Sequence, residues 1–237
     1  MAEELAVEAD GLCRRYGRRW ALVDVGVRVT RGSAVLVAGR NGSGKSTLLR
    51  VLATAIRADR GSGSVLGHDL RAGAAQVRAC CALLSHASHL YDALTALENL
   101  RIAARFLGRD TGERALLPLL ERVGLAERAH EAPATFSAGM RKRLALARVL
   151  LKDAAVVLLD EPYGQLDPPG FRLVDEVVRA LRERGSTVLL ASHQLARAAR
   201  LCQRGLVLDE GRVRWEGPVA ELARHSGLES TGSEEGA

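Results

Sequence analysis

The stretch Gly39-Arg40-Asn41-Gly42-Ser43-Gly44-Lys45-Ser46-Thr47 constrains this chain more than any other. It fits G-x-x-x-x-G-K-[ST], a phosphate-binding loop pattern whose meaning depends on its flanks. The apolar run Ala34-Val35-Leu36-Val37-Ala38 precedes it, and Leu48-Leu49-Arg50-Val51-Leu52 follows with helical spacing. A buried strand therefore runs into a glycine-rich turn and on into a helix. Glycines permit positive φ and close backbone approach. The loop N–H groups and the helix N-terminus form an anion cradle. Lys45 is placed to reach the β- and γ-phosphates of a nucleotide, and the Ser46 hydroxyl to ligate Mg²⁺.

The chain has 237 residues, enough for one large α/β domain or two small lobes around a shared core. It is 47% hydrophobic but only 3% aromatic, so that core is aliphatic. The net charge of +6 is mostly arginine and is spread along the chain, so no nucleic-acid partner is expected. Cys13, Cys80, Cys81 and Cys202 form no C-x-x-C pair and no zinc-like spacing, which suits a reduced, intracellular setting. No apolar run approaches the roughly 18–20 residues of a membrane helix. The acidic start Met1-Ala2-Glu3-Glu4 lacks a signal-peptide pattern. A cytoplasmic protein is expected, held peripherally at the inner face of the cell membrane by a partner.

Alternation over residues 4–9 and 21–29 predicts two strands, with a turn at Arg14-Arg15-Tyr16-Gly17. A helix is expected over 45–57 and a turn at Gly61-Ser62-Gly63-Ser64. A short strand should follow at Val65-Leu66-Gly67, then a helix over 71–78 and a buried strand over 79–84. From Leu94 to Leu151 the pattern is helical, over 95–107, 111–122 and 137–152, with breaks at Gly108, Gly124 and Pro133. Residues 88–150 thus read as a helical subdomain inserted into the α/β core. The core resumes with a strand at 154–161, a helix at 169–184, a strand at 187–191 and a helix at 194–202. Asp209-Glu210-Gly211 marks a hairpin between Leu206-Val207-Leu208 and Arg212-Val213-Arg214-Trp215. One domain over 1–225 is expected, with a disordered tail over 226–237.

Four apolar residues, then Asp160-Glu161-Pro162, place two carboxylates at a strand end. Asp160 is suited to Mg²⁺ and its water shell, because ligands collect at the carboxyl ends of strands in open α/β sheets. Glu161, expected to point the other way along the pleat, is suited to orient and polarise the water that attacks the γ-phosphate. His193 ends the next core strand, and parallel neighbours would bring both ends to one rim. Ser137 is a good N-cap for the helix that starts there. Ser137 and Gly139 also expose N–H groups suited to a γ-phosphate, either this chain's own or that of a second copy.

Taken together, these motifs resemble the nucleotide-binding subunits of ABC transporters over about residues 5–222. The resemblance implies a P-loop NTPase fold with an N-terminal antiparallel β subdomain and an inserted α-helical subdomain. It makes Tyr16 the aromatic that stacks on adenine and Gly39–Thr47 the Walker A loop. Phe136-Ser137-Ala138-Gly139-Met140 becomes a variant of the L-S-G-G-Q signature. Asp160 is the Walker B aspartate, Glu161 the catalytic glutamate, His193 the switch histidine, and Asp167 the aspartate of the D-loop Gly164-Gln165-Leu166-Asp167. ATP and Mg²⁺ are the implied cofactors. The implied partners are a second copy, head to tail on ATP binding, and a separate integral membrane subunit.

Three departures stand out. His86 replaces the usual Gln in the loop that touches Mg²⁺ and the membrane partner. Ala138 and Met140 replace Gly and Gln in the signature, and Gly164-Gln165 replaces Ser-Ala in the D-loop. His86, Ser137-Ala138-Gly139 and Leu94-Thr95-Ala96-Leu97-Glu98-Asn99-Leu100 together look like the ATP-binding subunit of the cytochrome c biogenesis (haem export) system. Other exporters, of drugs, lipids or polysaccharides, share the same core. A soluble ABC-type ATPase of translation or DNA repair would need a fused second domain or a long coiled coil, and no sustained heptads lie between Lys45 and Ser137. A small-molecule kinase would need neither the signature nor Glu161.

Overall fold

The computed structural model describes residues 4–225. The expected tail over 226–237 lies outside the described residues. Two sheets share the chain. The first is antiparallel, in the order β2-β1-β4-β5, built from β1 (Leu5–Tyr16), β2 (Arg19–Thr30), β4 (Arg60–Val65) and β5 (His68–Asp69). The second has the order β10-β9-β3-β8-β7-β6. Its strands are β3 (Ala34–Ala38), β6 (Cys81–Leu84), β7 (Val156–Asp160), β8 (Thr187–Ala191), β9 (Arg204–Asp209) and β10 (Arg212–Pro218).

Burial explains the two strand types. β3, β7 and β8 are buried at every position, as expected for parallel strands covered on both faces, and they read as unbroken apolar runs. β2 alternates buried Val25, Val27 and Val29 with exposed residues, because only one of its faces meets the core. Between the sheets lies α1 (Lys45–Leu52), whose Leu48, Leu49 and Leu52 share one buried cluster with Val37, Leu158, Val7 of β1 and Val25, Val27 and Val29 of β2.

The helical stretch comprises α2 (Ala74–Cys80), α3 (Ala96–Phe106), α4 (Glu113–Arg122) and α5 (Ala138–Lys152). The chain closes with α6 (Pro168–Glu183), α7 (Leu195–Ala199) and α8 (Leu222–His225). α3 begins with a capping box: Glu98 N donates to Thr95 Oγ1 at 3.2 Å, and Thr95 N donates to Glu98 Oε2 at 2.7 Å. Leu97, Leu100, Leu116, Leu120 and Leu144 from these helices share a buried cluster with Leu84 and Leu159 of the sheet.

Several expectations are corrected. β1 runs through Arg14 and Arg15 to Tyr16, because bulges in its pairing with β2 break the alternation without ending the strand. Gly61–Ser64 lies in β4 and is not a turn. A Cβ at Gly61 would stand against the Gly11 carbonyl and 2.6 Å from Leu12 N, and one at Gly63 would stand 2.7 Å from Glu8 O. The glycines are there for close approach to β1. The turn falls instead at Leu66-Gly67, both at positive φ, between β4 and β5. The loop helix stops at Leu52, where Thr54 takes φ 55°. Ala79 and Cys80 belong to α2 rather than to the strand that follows.

Gly61→Ala therefore combines a left-handed backbone with a steric clash. Those cost roughly 1–2 kcal/mol and about 1–3 kcal/mol. A thermal melt should show Tm lowered by at least about 4 °C, at about 2–4 °C per kcal/mol for a chain of this size.

Candidate nucleotide site

The loop after β3 is shaped by its neighbours as much as by any ligand. Gly39 has φ 143° and Gly44 has φ 111°. A Cβ at Gly39 would collide with the Leu208 carbonyl and stand 2.6 Å from Ser43 Oγ. A Cβ at Gly44 would stand 2.5 Å from Ala21 O. Ser43 O accepts from Gly211 N at 2.9 Å, tying the loop to the β9–β10 hairpin. Lys45 Nζ spans the loop, donating to Gly39 O at 2.7 Å and Arg40 O at 3.1 Å. Burial lowers the Lys45 pKa, while the nearby carboxylates of Glu161 and Asp160 act to raise it. Arg40, Asn41 and Gly42 are exposed, and Ser46 and Thr47 are half-buried at the start of α1.

Asp160 ends β7 and is 1% exposed. Its Oδ1 accepts from Ser46 Oγ at 2.8 Å, while Oδ2 is buried without a hydrogen-bond partner. An unpartnered buried carboxylate oxygen beside a serine hydroxyl is a donor set that fits Mg²⁺. That ion commonly keeps several waters and takes one or two protein oxygens plus substrate phosphates. No group of three or more His, Cys, Asp or Glu among the described residues is arranged to hold a metal ion. His86, by contrast, lies exposed beyond the end of β6, and no hydrogen bond brings it to Ser46 or Asp160.

Glu161 stands just past the strand at φ 47°, so its direction is set by a left-handed backbone and not by pleat alternation. Its N–H donates to Ala191 O at 2.8 Å. Oε2 lies 2.7 Å from His193 Nδ1 and accepts from His193 N at 3.2 Å. Parallel pairing of β7 with β8, with Asp160 opposite Ala191, is what brings the two ends to one rim.

The signature residues form the start of α5. Ser137 caps α5, accepting from Met140 N at 3.2 Å. Ser137 and Ala138 are exposed, and Gly139 and Met140 are half-buried. A Cβ at Gly139 would come 2.9 Å from Gln165 O, so the helix start lies directly against the loop that precedes Asp167. Asp167 caps α6, accepting from Gly170 N at 2.9 Å. No hydrogen bond joins Ser137–Met140 to Gly39–Thr47 among the described residues. Tyr16, 45% exposed, sits at the end of β1 in the β1–β2 hairpin, with the Arg14 guanidinium 5.0 Å from its ring. Its cross-strand partner Arg19 donates to Gly42 O at 3.4 Å, which sets the hairpin beside the loop.

Lys142 escaped the sequence reading. It is 6% exposed, one turn into α5, and donates to Asp160 O at 3.4 Å. Burial lowers its pKa, against Asp160 and Glu161, which raise it. Its rarity was the available signal: the chain has only three lysines, Lys45, Lys142 and Lys152, among many arginines. Asn99 was also missed. It is 1% exposed, and its side chain bonds Tyr91 N at 2.8 Å and Thr95 O at 2.9 Å, fixing the segment that leads into α3.

A phosphate loop, a carboxylate–serine pair and a Glu–His pair on one rim of a mainly parallel sheet define a nucleotide-hydrolysing domain. The family described as ABC transporter matches residues 22–164. The daunorubicin resistance ATP-binding protein of Streptomyces coeruleorubidus is 40% identical over 94% of this chain and 72% of its own length. The phosphonates import ATP-binding protein of Stutzerimonas stutzeri is 36% identical over 92% of this chain and 86% of its own length. A solved ATP-binding subunit of an ABC transporter superposes with a TM-score of 0.84 and 32% identity, covering 95% of both chains. A dimeric bacterial ABC transporter cassette superposes at 0.83 with 25% identity, covering 90% of this chain and 98% of that one. The chain belongs to the ABC transporter family, as an ATP-binding subunit carrying the ABC ATPase domain.

Lys45→Ala removes a charged donor from the loop. Charged hydrogen bonds contribute about 1.5–3 kcal/mol, so ATP affinity should fall roughly 10- to 100-fold. Titration with a fluorescent ATP analogue measures this.

Proposed function

We propose that this subunit binds Mg²⁺–ATP at Gly39–Thr47 and hydrolyses it in a head-to-tail pair with a second copy, driving a separate membrane protein. The observation that carries the reading is the rim at which Ser46, Asp160, Glu161 and His193 converge, beside the exposed start of α5 at Ser137. Mg²⁺ would be held by Ser46 Oγ and Asp160 Oδ2 and supplies charge neutralisation at the β- and γ-phosphates. The loop N–H groups and Lys45 bind those phosphates. Glu161 orients and polarises the attacking water, and His193 holds Glu161 in place and reaches the γ-phosphate. Tyr16 stacks on the adenine. Ser137 and Gly139 of the second copy, at the N-terminus of α5, close over the γ-phosphate of the first. The dimeric state of the similar bacterial cassette supports this pairing.

The membrane partner is assigned to the face around residues 86–100. There a groove of about 300 Å³ runs between β6, α3 and α5, lined by Ser88, His89, Phe106 and Arg148 among others. Phe106 is 85% exposed at its edge. Arg148 Nη1 donates to His89 O at 2.6 Å, which links α5 to this segment. No helix among the described residues is long and apolar enough to cross a membrane, so membrane attachment through such a partner is the reading that transport requires.

For the cargo, an exporter of small molecules is proposed. The relative that is 40% identical is named for daunorubicin resistance, and the name of neither relative mentions haem or cytochrome c. The haem-export reading retains His86 and Ser137-Ala138-Gly139 as its support. Co-purifying the membrane partner and measuring ATPase stimulation separates the two. Stimulation by daunorubicin-like amphiphiles supports drug export, and stimulation by haem alone supports the second reading.

Glu161→Gln should keep ATP binding and slow steady-state hydrolysis by about 10²–10⁴-fold, the range for one positioned proton acceptor or charge stabiliser. A phosphate-release assay decides it, and turnover near the wild-type rate would remove Glu161 from the role of base.

A further inference from the structure

Glu161 and His193 meet at 2.7 Å, each on the segment that leaves the sheet just past β7 or β8. Glu161 holds φ 47°, a conformation that persists only where its surroundings over-determine it. His193 is exposed and leads into α7, a helix of only five residues. Behind both segments lies one carboxylate. Asp175 of α6, 9% exposed, accepts from Tyr163 Oη at 2.8 Å through Oδ1 and from Arg197 Nη1 at 2.6 Å through Oδ2. Tyr163 is two residues beyond Glu161 and 2% exposed, and Arg197 is four residues beyond His193 on α7. Phe171, one turn before Asp175, stands edge-on to the Tyr163 ring at 5.8 Å and lies under the Arg197 guanidinium at 5.2 Å.

We propose that Tyr163, Asp175 and Arg197 are positioning residues that clamp the loop after Glu161 to the helix after His193, and so set the Glu161–His193 pair for hydrolysis. This rests on the roles given above to Glu161 and His193. Three observations favour positioning over simple packing. The two arms of the clamp end on the two segments that carry the paired residues, and on no other part of the site. Both oxygens of Asp175 are used, one per segment, so neither arm shifts without the other. The Arg197 side chain is 36% exposed, and ion pairs open to solvent contribute only about 0–1 kcal/mol of net stability. Burial, followed by the hydrogen bond to Asp175, pushes the Tyr163 phenol pKa up, so the hydroxyl stays a donor.

Displacement of a reacting group by about 1 Å costs up to about 10²-fold in rate. Loosening the clamp should therefore lower kcat and spare nucleotide affinity, because Lys45 and its loop are held by β2, β9 and the turn at Gly211 instead. The test compares Tyr163→Phe, Arg197→Met, Asp175→Asn and Arg197→Lys with Glu161→Gln and His193→Ala, in the full chain. Tyr163→Phe keeps the ring and is the variant least able to unfold the protein. Tyr163→Phe and Arg197→Met are each expected to lower kcat about tenfold, with KM for ATP within about twofold. Arg197→Lys should recover part of the rate. The Tyr163→Phe/Arg197→Met pair should be no slower than Asp175→Asn, since both arms act through one carboxylate.

Unchanged kcat in Tyr163→Phe and Arg197→Met, beside inactive Glu161→Gln and His193→Ala, overturns the clamp and leaves the site assignment standing. A joint fall of kcat, ATP affinity and Tm in the clamp variants assigns the network to folding and also overturns it. Wild-type turnover in both Glu161→Gln and His193→Ala overturns the site assignment itself, and with it the inference.

Discussion

The site depends on parallel register. β3 pairs with β8 and β8 with β7, so the carboxyl ends of the three strands reach the same rim. The phosphate loop, Asp160-Glu161 and Ser192-His193 leave the sheet there as neighbours, although Gly39 and His193 lie far apart in the chain. A one-residue slip would turn every side chain of a strand to the opposite face. Full burial of β3, β7 and β8 on both faces makes such a slip expensive, and the aliphatic core is what enforces it. Catalytic geometry in this subunit is therefore a consequence of how the strands that carry it are packed.

Within that rim, charge is arranged around Asp160 and Glu161. Lys45 approaches from the phosphate loop and Lys142 from α5, both largely buried and both influenced by the same two carboxylates. Burying two ammonium groups is costly unless they are paired, and here their donors are taken up by backbone carbonyls of Gly39, Arg40 and Asp160. Lys142 also joins the helix that begins at Ser137 to the strand that ends at Asp160. The helix that Ser137 caps and the strand that ends in Asp160 are thereby linked through one side chain.

Much of this is legible in the sequence because the motifs are local. Gly39–Thr47, the four apolar residues before Asp160-Glu161, and His193 at a strand end each carry their meaning within a few residues, and the structure brings them together. What fails to read is set by tertiary contacts. Gly61 and Gly63 have the composition of a turn but lie in β4, because β1 passes too close for a side chain. Pleat alternation predicts one direction for Glu161, but the residue lies past the end of β7 at φ 47°, where alternation no longer applies. Tyr163, Asp175 and Arg197 form one network, yet they are separated along the chain and no spacing announces them. His86 illustrates the opposite case, a position marked by a family motif whose side chain is exposed and, among the described residues, has no hydrogen bond to Ser46 or Asp160.

The central claim is that this chain holds half of each ATP site and that a second copy supplies the other half through Ser137 and Gly139. Its most direct test is the mass of Glu161→Gln in solution, measured by light scattering with and without Mg²⁺–ATP. The same measurement is made on Glu161→Gln carrying Ser137→Arg as well. Glu161→Gln is expected to be a dimer only when ATP is present, and the doubly substituted chain to be a monomer even with ATP bound. An ATP-bound Glu161→Gln that stays monomeric, or a dimer indifferent to Ser137→Arg, would contradict that claim.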